Sequence, residues 1–324
     1  LRGMSQNAPQ VATTEDRAKQ AIERAFGPEL LAVLHDPRTI ELILNPDGSL
    51  WVECLGEPMR RIGAMSAAKA QSILENVAGF HRKEIRRTSP LLECELPIDG
   101  SRFAAQLPPI VPAASFQIRK KAIKVFTLDD YVARGIMTDA QCTAIVKAVH
   151  ERRNIVVSGG TGSGKTTLAN ALIGEITNAF PGDRLILIED TGEIQCRAAN
   201  YAQWHTTTDV SLRDLIKHAL RARPDRIIVG ETRGPDAMDL LSAWNTGHEG
   251  GLATVHANNP RAALSRLQML VSMHPESPRP MEPLIAEAVH AIVHIARLPD
   301  GSRRVQGILG VDGFRDGAFV TTFL

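Results

Sequence analysis

The stretch that most constrains this chain is Gly159-Gly160-Thr161-Gly162-Ser163-Gly164-Lys165-Thr166, a full match to G-x-x-x-x-G-K-[ST]. A short apolar run, Ile155-Val156-Val157, leads into it. A helix with Leu168, Leu172 and Ile176 on one face leads out. Each residue type has a physical task. Glycines let the backbone curl until several N–H groups point inward at phosphate oxygens, and the helix N-terminus adds partial positive charge. Lys165 carries the point charge for the β- and γ-phosphates, and the Thr166 hydroxyl is placed to ligate Mg²⁺. A chance glycine-rich turn would lack this strand-loop-helix setting. The segment from Gly159 to Thr167 is therefore expected to hold ATP with Mg²⁺.

The surroundings of the loop read as an α/β domain. From Thr138 onward long helices alternate with short, wholly apolar runs: Ile155 to Val157, Leu185 to Ile188, Ile227 to Val229 and Leu252 to Val255. Strands of a parallel sheet covered on both faces have this look. Ala291 to Ala296, Val305 to Ile308 and Ala318 to Phe323 read as further strands, with turns at Asp300-Gly301 and Asp316-Gly317.

The first third is different. Residues 4 to about 20 are polar, as in a frayed arm or surface helix, and Ala21 to Leu34 has helical spacing. Strand pairs flank Pro46-Asp47-Gly48 and Asp99-Gly100, Ser66 to Phe80 reads as a capped helix, and Ala114 to Arg119 is extended. The expected organisation is a smaller N-terminal α+β domain over 4–121, a linker region over 122–137 and an ATPase domain over 138–324.

Composition narrows the function classes. With 37 basic and 36 acidic residues the formal charge is only +1, so the chain carries no global footprint for nucleic acid. Cys54, Cys94, Cys142 and Cys196 lie far apart and suggest neither a zinc site nor a disulfide framework. No apolar run approaches the ~20 residues needed to span a bilayer. The opening residues do not read as a signal peptide, and Leu1-Arg2-Gly3 precede what reads as the natural start at Met4. A cytosolic chain, or one seated on a membrane surface, is expected.

Ligands of open α/β sheets sit at the carboxyl ends of the strands. The second apolar run ends in Glu189-Asp190, with Glu193 close behind, and the third ends in Gly230-Glu231. A Mg-ATP site needs carboxylates for the metal shell and for orienting or deprotonating water. Glu189 and Glu231 are the candidates, and residue type does not divide the two tasks between them. Many P-loop ATPases carry Asp-Glu at the second position, where this chain has Gly230-Glu231. Ser211-x-x-Asp214 and Pro224 mark the helix that leads into that strand. His256 closes the fourth run and His248 precedes it, and a histidine at such a strand end can meet a γ-phosphate. Arg102 and Arg119, on strands of the first domain, could reach phosphates only if that domain covers the nucleotide. Arg221, Arg223 and Arg233 flank the Glu231 strand without a role that composition can single out.

Four blocks then carry a family resemblance: SGGTGSGKTT (158–167), LILIEDTGEI (185–194), LRARPDRIIVGETR (220–233) and TGHEGGLATVHA (246–257). In order and content they resemble the Walker A, Asp box, Walker B and His box of the secretion, or traffic, ATPases of type IV secretion and conjugation systems. LPIDGSRFAAQLPP and FQIRKK are similar to that family's N-terminal pattern, so the likeness covers nearly the whole chain.

The resemblance implies a RecA-like P-loop NTPase domain behind a smaller N-terminal domain, six such subunits in a homohexameric ring, and ATP bound between the domains. It implies that Lys165 and Thr166 hold phosphate and Mg²⁺, that Glu189 and Glu231 serve the metal and water, and that His256 faces the γ-phosphate. Arg102 and Arg119 match arginines that clamp the nucleotide. The implied partners are other copies of the chain and the inner-membrane components of a secretion or conjugation machine, met at the cytoplasmic face. Absence of Cys-x-x-Cys pairs argues against the zinc-bearing type II relatives. A helicase-like nucleic-acid motor shares the core fold. Near-neutral charge and no evident basic, aromatic-studded channel motif weigh against it, so direct nucleic-acid binding is not expected.

Overall fold

In the computed structural model, residues 13–54, 57–121, 125–207 and 209–323 are described, and the chain divides into two compact units, Leu1–Ile123 and Lys124–Leu324. In the first unit, α1 (Thr14–Phe26) and α2 (Pro28–His35) precede β1 (Thr39–Leu44), β2 (Ser49–Cys54) and β3 (Arg60–Ala64). Then come α3 (Ala67–Phe80), β4 (Leu91–Glu95), β5 (Arg102–Gln106) and β6 (Ser115–Arg119). The six strands form one antiparallel sheet in the order β3-β2-β1-β6-β5-β4. Ile22 and Phe26 of α1 and Ile73, Leu74 and Val77 of α3 pack with Leu42, Phe103 and Phe116 of the sheet. Each such buried side chain contributes about 1.5–3 kcal/mol through area removed from water.

The polar opening is helical from Thr14 because Thr13 and Asp16 form a reciprocal capping box, while residues 4–12 lie outside the described residues. The helical spacing from Ala21 to Leu34 belongs to two helices. The break falls at Gly27, and Pro28, with no N–H to satisfy, opens the second. Strand β3 had no counterpart in the sequence reading. It is an edge strand with mostly exposed residues, so it lacks the apolar run that marks an inner strand.

The second unit begins with α4 (Leu128–Ala133) and α5 (Asp139–His150), followed by β7 (Ile155–Gly159), α6 (Lys165–Ala179), β8 (Leu185–Glu189) and β9 (Tyr201–His205). Next come α7 (Leu212–Ala219), β10 (Arg226–Val229), α8 (Asp236–Trp244), β11 (Leu252–His256) and α9 (Pro260–Ser272). The chain ends in α10 (Glu282–Ala288), β12 (Ala291–Arg297), β13 (Arg303–Arg315) and β14 (Ala318–Phe323). The sheet order is β14-β13-β12-β7-β11-β10-β8-β9, parallel from β12 to β9 and antiparallel in the β12-β13-β14 meander. Alternate residues of β7 enter different cores: Val156 joins α8 and α9 on one face, Ile155 and Val157 join α5 and α6 on the other.

Two elements depart from the sequence reading. Of the expected 122–137 linker, residues 122–124 lie outside the described residues, but α4 is capped by Thr127 and buries Leu128 and Tyr131 with Met137 in the core of the second unit. A helix this short buries too few apolar residues to show a period. Strand β9 had also gone unread, because as the other edge of the sheet it is polar and half-exposed.

Candidate functional site

The phosphate loop leaves the carboxyl end of β7 and re-enters regular structure at Lys165, the first residue of α6. Lys165 is 8% exposed, and its Nζ donates to the Gly160 carbonyl at 3.0 Å and lies 3.3 Å from His256 Nδ1. His256 ends β11, in register with Gly159 of the neighbouring β7, so strand pairing alone sets it beside the loop. His256 Nε2 in turn lies 2.9 Å from Glu231 Oε1. That contact lacks the angle of a hydrogen bond, and Oε1 stays buried without a hydrogen-bond partner among the described residues.

Glu231 Oε2 accepts from Arg233 Nη2 at 2.9 Å, and Arg233 Nη1 lies 3.6 Å from Asp190 Oδ2. Burial pushes the Glu231 carboxyl up, but Arg233, His256 and Lys165 together outweigh burial and hold it below its ordinary value. His256 is shifted down, by burial first and then by the Lys165 charge, so its imidazole is neutral near pH 7. Strand order thus assembles Lys165, His256, Glu231, Arg233 and Asp190 into one line of alternating charge at the carboxyl ends of β7, β11, β10 and β8.

Glu189 is placed differently from Glu231. It is 3% exposed, and its Oε2 accepts from the backbone N–H groups of Glu193 at 2.8 Å and Ile194 at 3.0 Å. Its Oε1 accepts from Gln203 Nε2 and lies 3.5 Å from His205. Burial raises its pKa, and these hydrogen bonds only partly offset the rise. Both carboxylate oxygens are therefore engaged in shaping the 190–195 loop. The carboxylate that this loop delivers to the phosphate site is Glu193, whose Oε2 accepts from the Thr166 hydroxyl at 3.4 Å. Asn170 on α6 latches the same loop, donating to the Glu193 carbonyl at 3.3 Å and accepting from Gln195 N at 3.0 Å. Asn170 had escaped the sequence reading, and a polar residue among the apolar positions of the helix after the loop was its only signal.

Gly230 explains why this chain departs from Asp-Glu. A Cβ at that position would lie 2.9 Å from Glu189 Cβ, closer than side chains pack. The buried Glu189 occupies the space that an aspartate would need.

His248 is not brought to the site. It lies before the amino end of β11, and its Nδ1 faces the Ala243 carbonyl at 3.2 Å. Arg102 and Arg119, in the first unit, are direct cross-strand partners of β5 and β6, and Arg102 lies 3.9 Å from Glu93.

For Mg²⁺, no group of three or more His, Cys, Asp or Glu placed to hold a metal occurs among the described residues. The donor set nonetheless fits an ion that arrives with a nucleotide. Thr166 offers a hydroxyl, Glu193 a carboxylate beside it, and Glu231 a buried oxygen without a hydrogen-bond partner.

A doubly wound sheet with a phosphate loop at its switch and acidic groups on adjacent strand ends defines a RecA-like P-loop NTPase. The family model described as Type II/IV secretion system protein matches residues 81–313, and the chain belongs to that family. It is 46% identical to the probable conjugal transfer protein TrbB of Sinorhizobium fredii over 94% of this chain and 92% of that protein. To the type IV secretion system protein PtlH of Bordetella pertussis it is 31% identical, covering 82% of this chain and 87% of the other. Among solved structures it is similar to the Legionella pneumophila ATPase DotB (TM-score 0.61, 18% identity, 86% of this chain and 79% of that one). The pilus retraction motor PilT with bound ADP gives TM-score 0.61 at 18% identity, over 91% of this chain and 81% of that one. These two likenesses speak to fold, and they bear out the fold class expected from the sequence.

Proposed function

We propose that this chain is a Mg²⁺-dependent ATPase that powers pilus assembly or substrate transfer in a conjugative type IV secretion system. It would work as a homohexamer at the cytoplasmic face of the inner membrane, bound to membrane components of the machine, with an N-terminal domain over 4–121 ahead of the ATPase domain. No helix among the described residues is long and apolar enough to cross a membrane, which is compatible with peripheral attachment.

The observation that carries the reading is the contact chain Lys165–His256–Glu231 at three adjacent strand ends. Lys165 would grip the β- and γ-phosphates, and the loop N–H groups would bind the remaining oxygens. Thr166, with Glu193 and Glu231 through water, would hold Mg²⁺, which when bound neutralises charge on the phosphate oxygens. The Glu231 carboxylate, ionised at neutral pH, would orient the attacking water and take its proton at Oε1. His256, neutral and between Lys165 and Glu231, is placed to register the γ-phosphate and its loss. Glu189 would act through the 190–195 loop, as a positioning residue. Arg102 and Arg119 remain the proposed clamp from the N-terminal domain.

Phosphate release from Mg-ATP by the purified full chain, with and without single-stranded DNA, tests this. Turnover indifferent to DNA supports the proposal. Turnover that depends on single strands and falls steeply with salt would sink it in favour of a nucleic-acid motor. No turnover under any of these conditions would sink the ATPase itself.

A further inference from the structure

Arg303 opens β13, paired with Arg297 across the β12-β13 hairpin, and the hairpin folds its side chain back onto the phosphate loop. Gly164, which caps α6 with φ +94° and no side-chain cap, lies under it. A Cβ at Gly164 would sit 3.7 Å from Arg303 Cδ and 3.9 Å from its Nε. The aliphatic stem of Arg303 therefore lies along the loop where it turns into the helix.

Arg303 is half-buried, its charge acts on the buried Tyr131 hydroxyl, and its guanidinium has no hydrogen bond or ion pair with any described residue. The arginines that pack against carboxylates in this unit differ. Arg152 and Arg226 share Asp183, Arg213 holds Asp239, and Arg233 holds Glu231. Arg303 instead has its Cδ and Nε against Gly164 at the amino end of α6, itself partially positive, next in sequence to the Lys165 that begins the helix. Three sources of positive charge thus converge on one short loop, and Arg303 has no ion-pair partner among the described residues. Such an arrangement is offset by an anion seated among them, and a guanidinium is suited to two phosphate oxygens at once.

Strand order says which part of the anion it meets. In the order β12-β7-β11, the loop leaving β7 is flanked by His256 and Glu231 on the β11 side and by Arg303 on the β12 side. Lys165 and Glu231 serve the γ-phosphate end. We propose that Arg303 is a nucleotide-binding residue of the same subunit, holding the α-phosphate end of the bound nucleotide over Gly164. This rests on the ATPase reading above and adds a contact to it that the motif blocks do not contain.

The test is calorimetric binding of Mg-ADP and of Mg-pyrophosphate to the full chain and to Arg303→Gln, Arg303→Lys and Arg304→Gln. Loss of one charge-assisted contact should weaken ADP about ten- to a hundred-fold in Arg303→Gln. Pyrophosphate, whose two phosphates Lys165 and the loop can still grip at the β- and γ-positions without an α-phosphate, should change by less than about threefold, well inside the worth of one such contact. Arg303→Lys should recover part of the ADP affinity, and the exposed Arg304→Gln should match wild type. Unchanged ADP binding in Arg303→Gln at wild-type thermal stability would overturn the inference while leaving the ATPase reading intact. Equal weakening of ADP and pyrophosphate would overturn the α-phosphate assignment. Wild type that binds neither ligand would overturn the ATPase reading and the inference with it.

Discussion

His256 Nε2 lies 2.9 Å from Glu231 Oε1 while the opposite ring nitrogen faces Lys165 Nζ at 3.3 Å. One imidazole thus joins the lysine of the phosphate loop to the carboxylate that would activate water. A ligand that draws Lys165 toward phosphate changes the field at His256, and through it the field at Glu231.

Lys165→Ala removes the cation from this line and from the loop. Turnover should fall at least ~10²-fold, the scale for losing one preorganised donor to developing charge. Steady-state phosphate release at saturating Mg-ATP checks it, and near-wild-type turnover would move the site elsewhere.

Glu193→Gln and Glu189→Gln should fail in different ways. Glu193→Gln should lose turnover while unfolding at the wild-type temperature, because among the described residues its carboxylate makes a single long hydrogen bond, with Thr166. Glu189→Gln brings an NH₂ group against N–H donors already pointing at Oε1 and Oε2. Leaving such donors unpaired costs about 1–3 kcal/mol. At roughly 2–4 °C per kcal/mol for a domain of this size, calorimetry would see the midpoint fall by several degrees. A Glu189→Gln protein as stable as wild type would show that the 190–195 loop does not depend on that carboxylate.

Gly230→Asp restores the residue that many P-loop ATPases carry, and it should harm this one. The new Cβ would arrive 2.9 Å from Glu189 Cβ. Overpacking of this kind costs about 1–3 kcal/mol, and the displaced Glu189 should release its loop. Denaturant melts and ATPase rates together check it, and improved activity at unchanged stability would contradict the packing explanation.

Acid should weaken the fold before the carboxylates titrate. His256, His290 and His294 all have pKa values lowered from 6.5, each by burial first. Below that value the unfolded chain takes up protons that these folded histidines resist, so stability present above about 6.5 is lost as pH falls toward their folded values. Glu189, raised by burial, acts oppositely: its contribution is complete below 4.5 and is lost as pH rises through its folded value. Melting temperature should therefore drop between pH 7 and 5.5, and His294→Asn should drop less; equal drops would remove His294 from the effect.

Inner elements were the legible part of the fold. β7, β8, β10 and β11 are buried on both faces, so their apolar runs stand out, and Thr138, Ser66 and Ser211 mark helix starts through the caps they form. Edge strands β3 and β9 and the short α4 were not legible, because each owes its conformation to a neighbour more than to its own pattern. Arg102 and Arg119 could be named as candidates, but their pairing came from the β5-β6 register.

The sequence by itself determined the phosphate loop, the order of the four blocks and the placing of Glu231 and His256 at strand ends. Those follow from local requirements: a tight glycine turn, a helix start, an apolar strand of fixed length. Only the tertiary structure decided which acidic residue of 189–193 faces Thr166 and which shapes the loop. It alone filled the space beside Gly230 with Glu189 and carried Arg303 back over Gly164. A carboxylate or guanidinium has no role until burial and its hydrogen-bond partners are set, and residues distant in sequence set both.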